Sequence, residues 1–309
     1  MCSTSIYRVV PGILLVATLA GCSELGYSNH VLRVKLTSQK LVIVPVLING
    51  QGPYSFLLDT GSSVTVVSPK LLSRFQEKAI GSSPFLTGVK TQRANWCQFD
   101  SIGLEGAEIG PVEVIGFSLD NHKDLHVDGI LGQDILHHYN YLLDYKKKVI
   151  VIDEDNTLAA SLNSATLPLA ETESRLVIEI TPKSTKEKRS LFILDSGANC
   201  LVVFKQDYED YGLDVLLRVG TEVQTVAGGS LVRTGEVRLF RIGNQELKDV
   251  PVTFIPVTPY TANRPELGTF PLNWFGAVYF NHTQKSVTFD PQFKSLEASH
   301  SSVGKVTSE

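Results

Sequence analysis

Two short acidic loops carry the residues best suited to chemistry, Asp59-Thr60-Gly61-Ser62-Ser63 and Asp195-Ser196-Gly197-Ala198-Asn199. Each opens on an aspartate that directly follows an apolar run, Phe56-Leu57-Leu58 in one case and Phe192-Ile193-Leu194 in the other. Asp, Ser, Thr and Gly all favour turns, so one such loop alone reads as a surface turn. The setting argues otherwise, because an aspartate at the end of an apolar strand is carried inward, where a carboxylate needs a partner. Asp-[Ser/Thr]-Gly preceded by two aliphatic residues arises by chance in roughly one chain in a hundred of this length. Here it occurs twice, with matching flanks.

The flanks make the chain a tandem duplication. Leu41-Val42-Ile43 precedes Asp59 by 18 positions, and Leu176-Val177-Ile178 precedes Asp195 by 19. Downstream, Asp128-Gly129-Ile130-Leu131-Gly132 and Leu267-Gly268-Thr269-Phe270-Pro271 follow, their Gly129 and Gly268 lying 70 and 73 positions after the two aspartates. Each half closes on an alternating strand, Val149 to Asp153 and Ser286 to Asp290, 94 and 95 positions after its loop aspartate. Agreement at three landmarks points to two copies of one unit.

Two equivalent units packed about an approximate two-fold axis bring matching strand ends together, so Asp59 would face Asp195. Carboxylates in contact cannot both ionise and share one proton. One then serves as general base toward a water while the other serves as general acid. Gly61 and Gly197 allow tight loops and close backbone approach, and the Thr60 and Ser196 hydroxyls can reach across to brace the opposite loop.

Phe-Leu-Leu-Asp-Thr-Gly-Ser-Ser and Phe-Ile-Leu-Asp-Ser-Gly-Ala, each followed by a glycine-bearing hairpin region and a hydrophobic-hydrophobic-Gly-type segment, resemble the retropepsin-like and pepsin-like aspartic proteases. The resemblance spans about residues 38–155 and 173–292. It implies an all-β fold of two tandem retropepsin-like β-barrel lobes with a pseudo-two-fold, and an endopeptidase using Asp59 and Asp195 on a peptide or protein substrate without a cofactor. Such a pair shares its proton in aspartic proteases generally. In the family a glycine-bearing hairpin closes over the substrate, and the positions that match are Thr87 and Gly88 in the first half and Gly228 and Gly229 in the second. Thr269-Phe270-Pro271 departs from the pattern of Ile130-Leu131-Gly132. So does Ala198, which offers no hydroxyl where the first loop has Ser62. An asymmetric pair is therefore expected, with Ser62 hydrogen-bonding an ionised Asp59 and activity in the acidic range, less acidic than pepsin's.

The N-terminus points to export. Arg8 is followed by an apolar run from Val9 to Leu19, about half of the ~20 residues that cross a bilayer, which reads as a secretory signal. Leu19-Ala20-Gly21-Cys22 resembles a bacterial lipobox, which implies cleavage before Cys22, its lipidation, and a lipid-anchored place in the cell envelope; Ser23 in the next position favours the outer membrane, facing the periplasm. The expected organisation is a signal over 1–21, a lipidated linker over 22–37, lobes over 38–155 and 173–292, a linker over 156–172 and a loose tail over 293–309.

The rest of the 309-residue chain excludes some classes. A net charge of -4 and a pI near 6.0 give no footprint for nucleic acid. His137-His138 has no neighbouring His/Cys/Asp cluster in sequence, so no metal is expected. Of the four cysteines only Cys97 and Cys200 belong to the lobes, as a pair or as separate thiols. Lys146-Lys147-Lys148 reads as a solvated turn. Apart from short helices near 69–76 and 135–141, strands are expected throughout. A monomer whose halves pair internally is favoured by the tandem linkage, though pairing with a second molecule fits the same residues. The competing function is a catalytically inactive lipoprotein that grips a peptide or envelope protein with the same fold.

Overall fold

The computed structural model of the protein describes residues 30–86, 91–104, 106–119, 125–172, 174–180, 190–225, 228–242, 245–256 and 259–291. The chain is mostly strand, and the duplication read from its sequence is its architecture. In the first lobe the strand Gln51–Leu58 ends at the acidic loop and pairs in parallel with Gly129–Leu131. Val66–Val67 lies beyond, antiparallel to Gly129–Leu131 and parallel to Val112–Gly116. The second lobe repeats this: Ser190–Asp195 beside Gly268–Pro271 in parallel, then Leu201–Val203 against Gln245–Phe254. Registers agree residue for residue, Leu57 opposite Ile130 and Ile193 opposite Thr269. Gly268–Pro271 thus keeps the same strand geometry despite its changed sequence.

These central strands are apolar runs because both faces are covered, as parallel pairs require. Phe56, Leu58, Phe192 and Leu194 have no exposed surface. Only Gly fits at position 129, where a Cβ would come 2.2 Å from the Phe56 ring. The one helix predicted near 69–76 forms over Pro69–Phe75, opened by Ser68, whose hydroxyl accepts from the Leu71 N–H, with Pro69 in the first turn. It stops at Gln76, which takes a left-handed φ of 57°. The second helix is shorter and earlier than the expected 135–141, running Gln133–Leu136 directly from Gly132.

A third sheet joins the lobes. Its six strands run His30–Arg33, Val149–Ile152, Tyr141–Asp144, Ala277–Asn281, Ser286–Phe289 and Thr166–Pro168, three from each half of the chain. The seam is the pair Tyr141–Asp144 and Ala277–Asn281, with Leu143 opposite Val278. Two expectations are corrected here. The stretches 22–37 and 156–172, read as linkers, supply the two edge strands of this sheet, and 156–172 also holds the helix Thr157–Ser161. Their alternation is too short to show in sequence, and they become strands by adding to an edge that already exists. Asp153 ends the first closing strand with its carboxylate fully buried, accepting from the N–H groups of Thr157 and Leu158 and from the Tyr279 hydroxyl at 2.6 Å. Asp290, its counterpart in sequence, instead accepts from Gly276 and Ala277 of its own lobe.

Candidate active site

The two acidic loops meet at the ends of Gln51–Leu58 and Ser190–Asp195, between the lobes. Four hydrogen bonds cross from one loop to the other. The Thr60 hydroxyl donates to the Leu194 carbonyl at 2.8 Å and accepts from the Ser196 N–H at 3.0 Å. The Ser196 hydroxyl donates to the Leu58 carbonyl at 2.7 Å and accepts from the Thr60 N–H at 3.1 Å. Both side chains are fully buried. Each hydroxyl is used as donor and acceptor, so neither loop can shift without orphaning buried groups of the other.

Gly61 and Gly197 are required by the same closeness. A Cβ on Gly61 would stand 2.7 Å from the Asp195 carboxyl carbon, and one on Gly197 2.7 Å from that of Asp59. Each loop backbone therefore presses on the opposite carboxyl, and the two carboxyls lie close enough to shift each other's ionisation. Asp59 Oδ1 accepts from the N–H groups of Gly61 and Ser62 at 2.9 and 3.1 Å, and Asp195 Oδ1 accepts from that of Gly197 at 2.9 Å. Both aspartates keep some surface open to solvent while protein surrounds them on most sides. Burial pushes both above the ordinary carboxylate range, and the charge of Asp59 pushes Asp195 further. The pair thus holds one proton over a range that includes mildly acidic solution, and can act as a base and an acid at once.

Ser62 is corrected in one respect. Its N–H reaches Asp59, but its hydroxyl donates to the Val64 carbonyl at 2.8 Å. Of the expected hairpins, Thr87 and Gly88 lie outside the described residues, between the paired strands Gly81–Leu86 and Thr91–Phe99. Gly228 and Gly229 open the long strand Gly228–Ile242 and pair with Thr225 and Gln224. Cys22 also lies outside the described residues. Cys97 and Cys200 are both free thiols, and Cys200 contacts the Thr253 hydroxyl at 3.4 Å. Burial raises the Cys200 thiol, and the charge of Asp195 adds to it.

Several residues beside the loops went unnoticed in sequence. Gln133 lends a side-chain N–H to the Thr60 carbonyl at 3.2 Å. Arg175 donates from Nε to the Gly61 carbonyl at 3.1 Å. On the other side Gln39 accepts from Asn199 and, through its carbonyl, from Asn273. The Thr269 hydroxyl lies against the Asp195 carboxyl and favours its charged form, but falls short of a well-formed hydrogen bond. A weak signal for Arg175 existed, since a basic residue precedes Leu-Val-Ile in both halves, as Lys40 and as Arg175. At the lobe seam His282 joins His137 and His138 around a cavity of about 310 Å³. Among the described residues no group of three or more His, Cys, Asp or Glu is arranged to hold a metal ion.

A family model described as aspartyl protease matches the chain twice, at residues 44–135 and 183–270, one match per lobe. No curated protein matches it. The two matches cover more than half of the 309 residues, and the chain belongs to the aspartyl protease family.

Proposed function

We propose that this member of the aspartyl protease family is an active endopeptidase in which Asp59 and Asp195 together activate water against a peptide bond. The observation that carries the reading is the pair itself, two carboxyls each pressed by the opposite loop and held by loop N–H groups and by reciprocal Thr60–Ser196 bonds. Burying two like-charged groups together costs stability, and a purely structural loop gains nothing from keeping both. In the proposed cycle the ionised carboxylate takes a proton from water as its oxygen attacks the peptide carbonyl carbon. The protonated partner gives its proton to the carbonyl oxygen. The resulting tetrahedral species breaks its C–N bond as the base passes the proton it took to the nitrogen and one hydroxyl proton returns to the partner. The pair regains its single proton, and one water is consumed to give a new carboxyl group and a new amine. No metal or cofactor enters this cycle. The paired hairpins are proposed to cover an extended peptide, and the shared interlobe sheet supports a monomer with both halves of the site in one chain.

The test is cleavage of a mixed peptide library by the purified full chain across acidic to neutral pH, alongside Asp59→Asn and Asp195→Asn. Cleavage lost in both variants supports the dyad. Cleavage retained in either variant sinks it, and a folded wild type that cleaves nothing favours the binding lipoprotein instead.

Anchoring in the cell envelope through lipidated Cys22, on the outer membrane facing the periplasm, is proposed from the Leu-Ala-Gly-Cys sequence. Among the described residues no helix is long and apolar enough to cross a membrane. Metabolic labelling with a palmitate analogue should mark the wild type and not Cys22→Ala; equal labelling of both would remove the anchor.

A further inference from the structure

The two carboxyls are related by a pseudo-two-fold, yet their surroundings differ in charge. Arg175 begins the second-lobe strand Arg175–Ile180 and reaches across to the first loop, where Nε donates to the Gly61 carbonyl at 3.1 Å. That carbonyl belongs to the residue whose N–H holds Asp59. The equivalent support of the second loop is neutral. There the strand register puts the buried, uncharged Leu41 in the place of Arg175. Lys40 is exposed, and Gln39 accepts from Asn199 at 3.1 Å and from Asn273 at 3.2 Å. Asp59 also accepts two loop N–H bonds where Asp195 accepts one. Among the described residues, the other titratable groups around Asp195 are the Cys200 thiol and the Tyr145 phenol, both neutral, with the Thr269 hydroxyl beside them.

We propose that Arg175 is a positioning residue that sets the polarity of the pair, keeping Asp59 as the ionised member and leaving the shared proton on Asp195. The assignment deepens the dyad reading and rests on it for its catalytic meaning: Asp59 becomes the base toward water and Asp195 the acid toward the substrate carbonyl. A cation beside one of two coupled carboxyls favours charge on that one, and hydrogen bonds to a carboxylate act in the same direction. Among the influences on Asp59, the positive charge of Arg175 works against the upward push of burial.

Carbon-13 NMR of aspartate carboxyls in the full chain tests this, because it reads protonation without requiring turnover. In wild type the lower of the two titration steps should belong to Asp59. In Arg175→Gln, which keeps an N–H donor but removes the charge, that step should rise by roughly half to one pH unit. Arg175→Lys should restore it. The acidic limb of the peptide-cleavage profile should move with the NMR step. A lower step belonging to Asp195 in wild type overturns the proposal, and that measurement needs no variant. An Asp59 step unmoved in folded Arg175→Gln overturns it too. Carboxyl steps that behave as stated in a protein that cleaves no peptide would leave the polarity standing and remove the enzyme.

Discussion

The two lobes share strand register to the residue and differ in how each supports its acidic loop. In the first, Asp134 gathers the Thr65 N–H at 2.8 Å, the Thr65 hydroxyl at 2.7 Å and the Ile135 N–H at 3.0 Å. The Thr65 hydroxyl in turn accepts from the Gly132 N–H at 3.1 Å. In the second, Leu201 stands at the position of Thr65, Pro271 at that of Gly132 and Asn273 at that of Asp134. Pro has no N–H to donate and Leu no oxygen to accept, so that bond is deleted from both ends, while the Asn273 Oδ1 stays buried without a hydrogen-bond partner. Asn273, freed from that cluster, reaches the Gln39 and Ala198 carbonyls instead. Duplicated units can diverge in polar support when both partners of a bond change together, while the shared apolar register holds the backbone.

The comparison breaks most visibly at the carboxyls. Asp59→Asn and Asp195→Asn should each lower peptide cleavage by on the order of 10²–10⁴-fold, measured as kcat/KM. Each should also raise the melting temperature at neutral pH. A carboxyl raised by burial has its full stability below its unfolded pKa and loses it as pH rises through the folded value, so an amide removes that loss. A lower melting temperature for both would contradict the strained pair.

The loop brace is where the lobes should be alike. Thr60→Val and Ser196→Ala each orphan a buried N–H and a buried carbonyl, and each should cost about 3 kcal/mol in denaturant unfolding. A cost near zero for either would mean that the symmetric brace carries its load on one side only.

At the seam, His282 is stacked on Tyr141, with its Nε2 buried and without a hydrogen-bond partner, and burial, with the neighbouring His137 and His138, lowers its pKa to about 4. The folded state therefore resists protonation that the unfolded chain accepts. The stability this group contributes is present above the unfolded value near 6.5 and is lost as pH falls toward about 4. By pH 5 the loss should reach about 2 kcal/mol. His282→Gln should flatten the difference in unfolding free energy between pH 7 and pH 5; an unchanged slope would locate the acid sensitivity elsewhere.

The smallest effects should separate the two supports. Asp134→Asn loses acceptor capacity for the Thr65 and Ile135 donors and should cost about 1.5 kcal/mol, against about 1 kcal/mol for Asn273→Ala. The reverse order in thermal unfolding would show the second lobe to be the more tightly held.

Much of this molecule follows from sequence alone, because the information is local and repeated. Apolar runs ending on Asp59 and Asp195, glycines two residues later and closing strands at equal spacing determined two copies of one β unit and marked their loops. Tertiary structure decided what depends on residues distant in sequence. The shared sheet recruits 30–33 and 166–168, whose few residues become strands only at an edge that the lobes provide. Asp153 and Asp290 close their halves at matching places, yet one ties the seam to Tyr279 and the other its own turn. Arg175 is one basic residue among many until folding sets its guanidinium on the Gly61 carbonyl, 114 residues away. Spacing specifies strands and turns through short-range sterics and burial, whereas the charge around a buried carboxyl is fixed by whichever side chains the packed lobes bring to it.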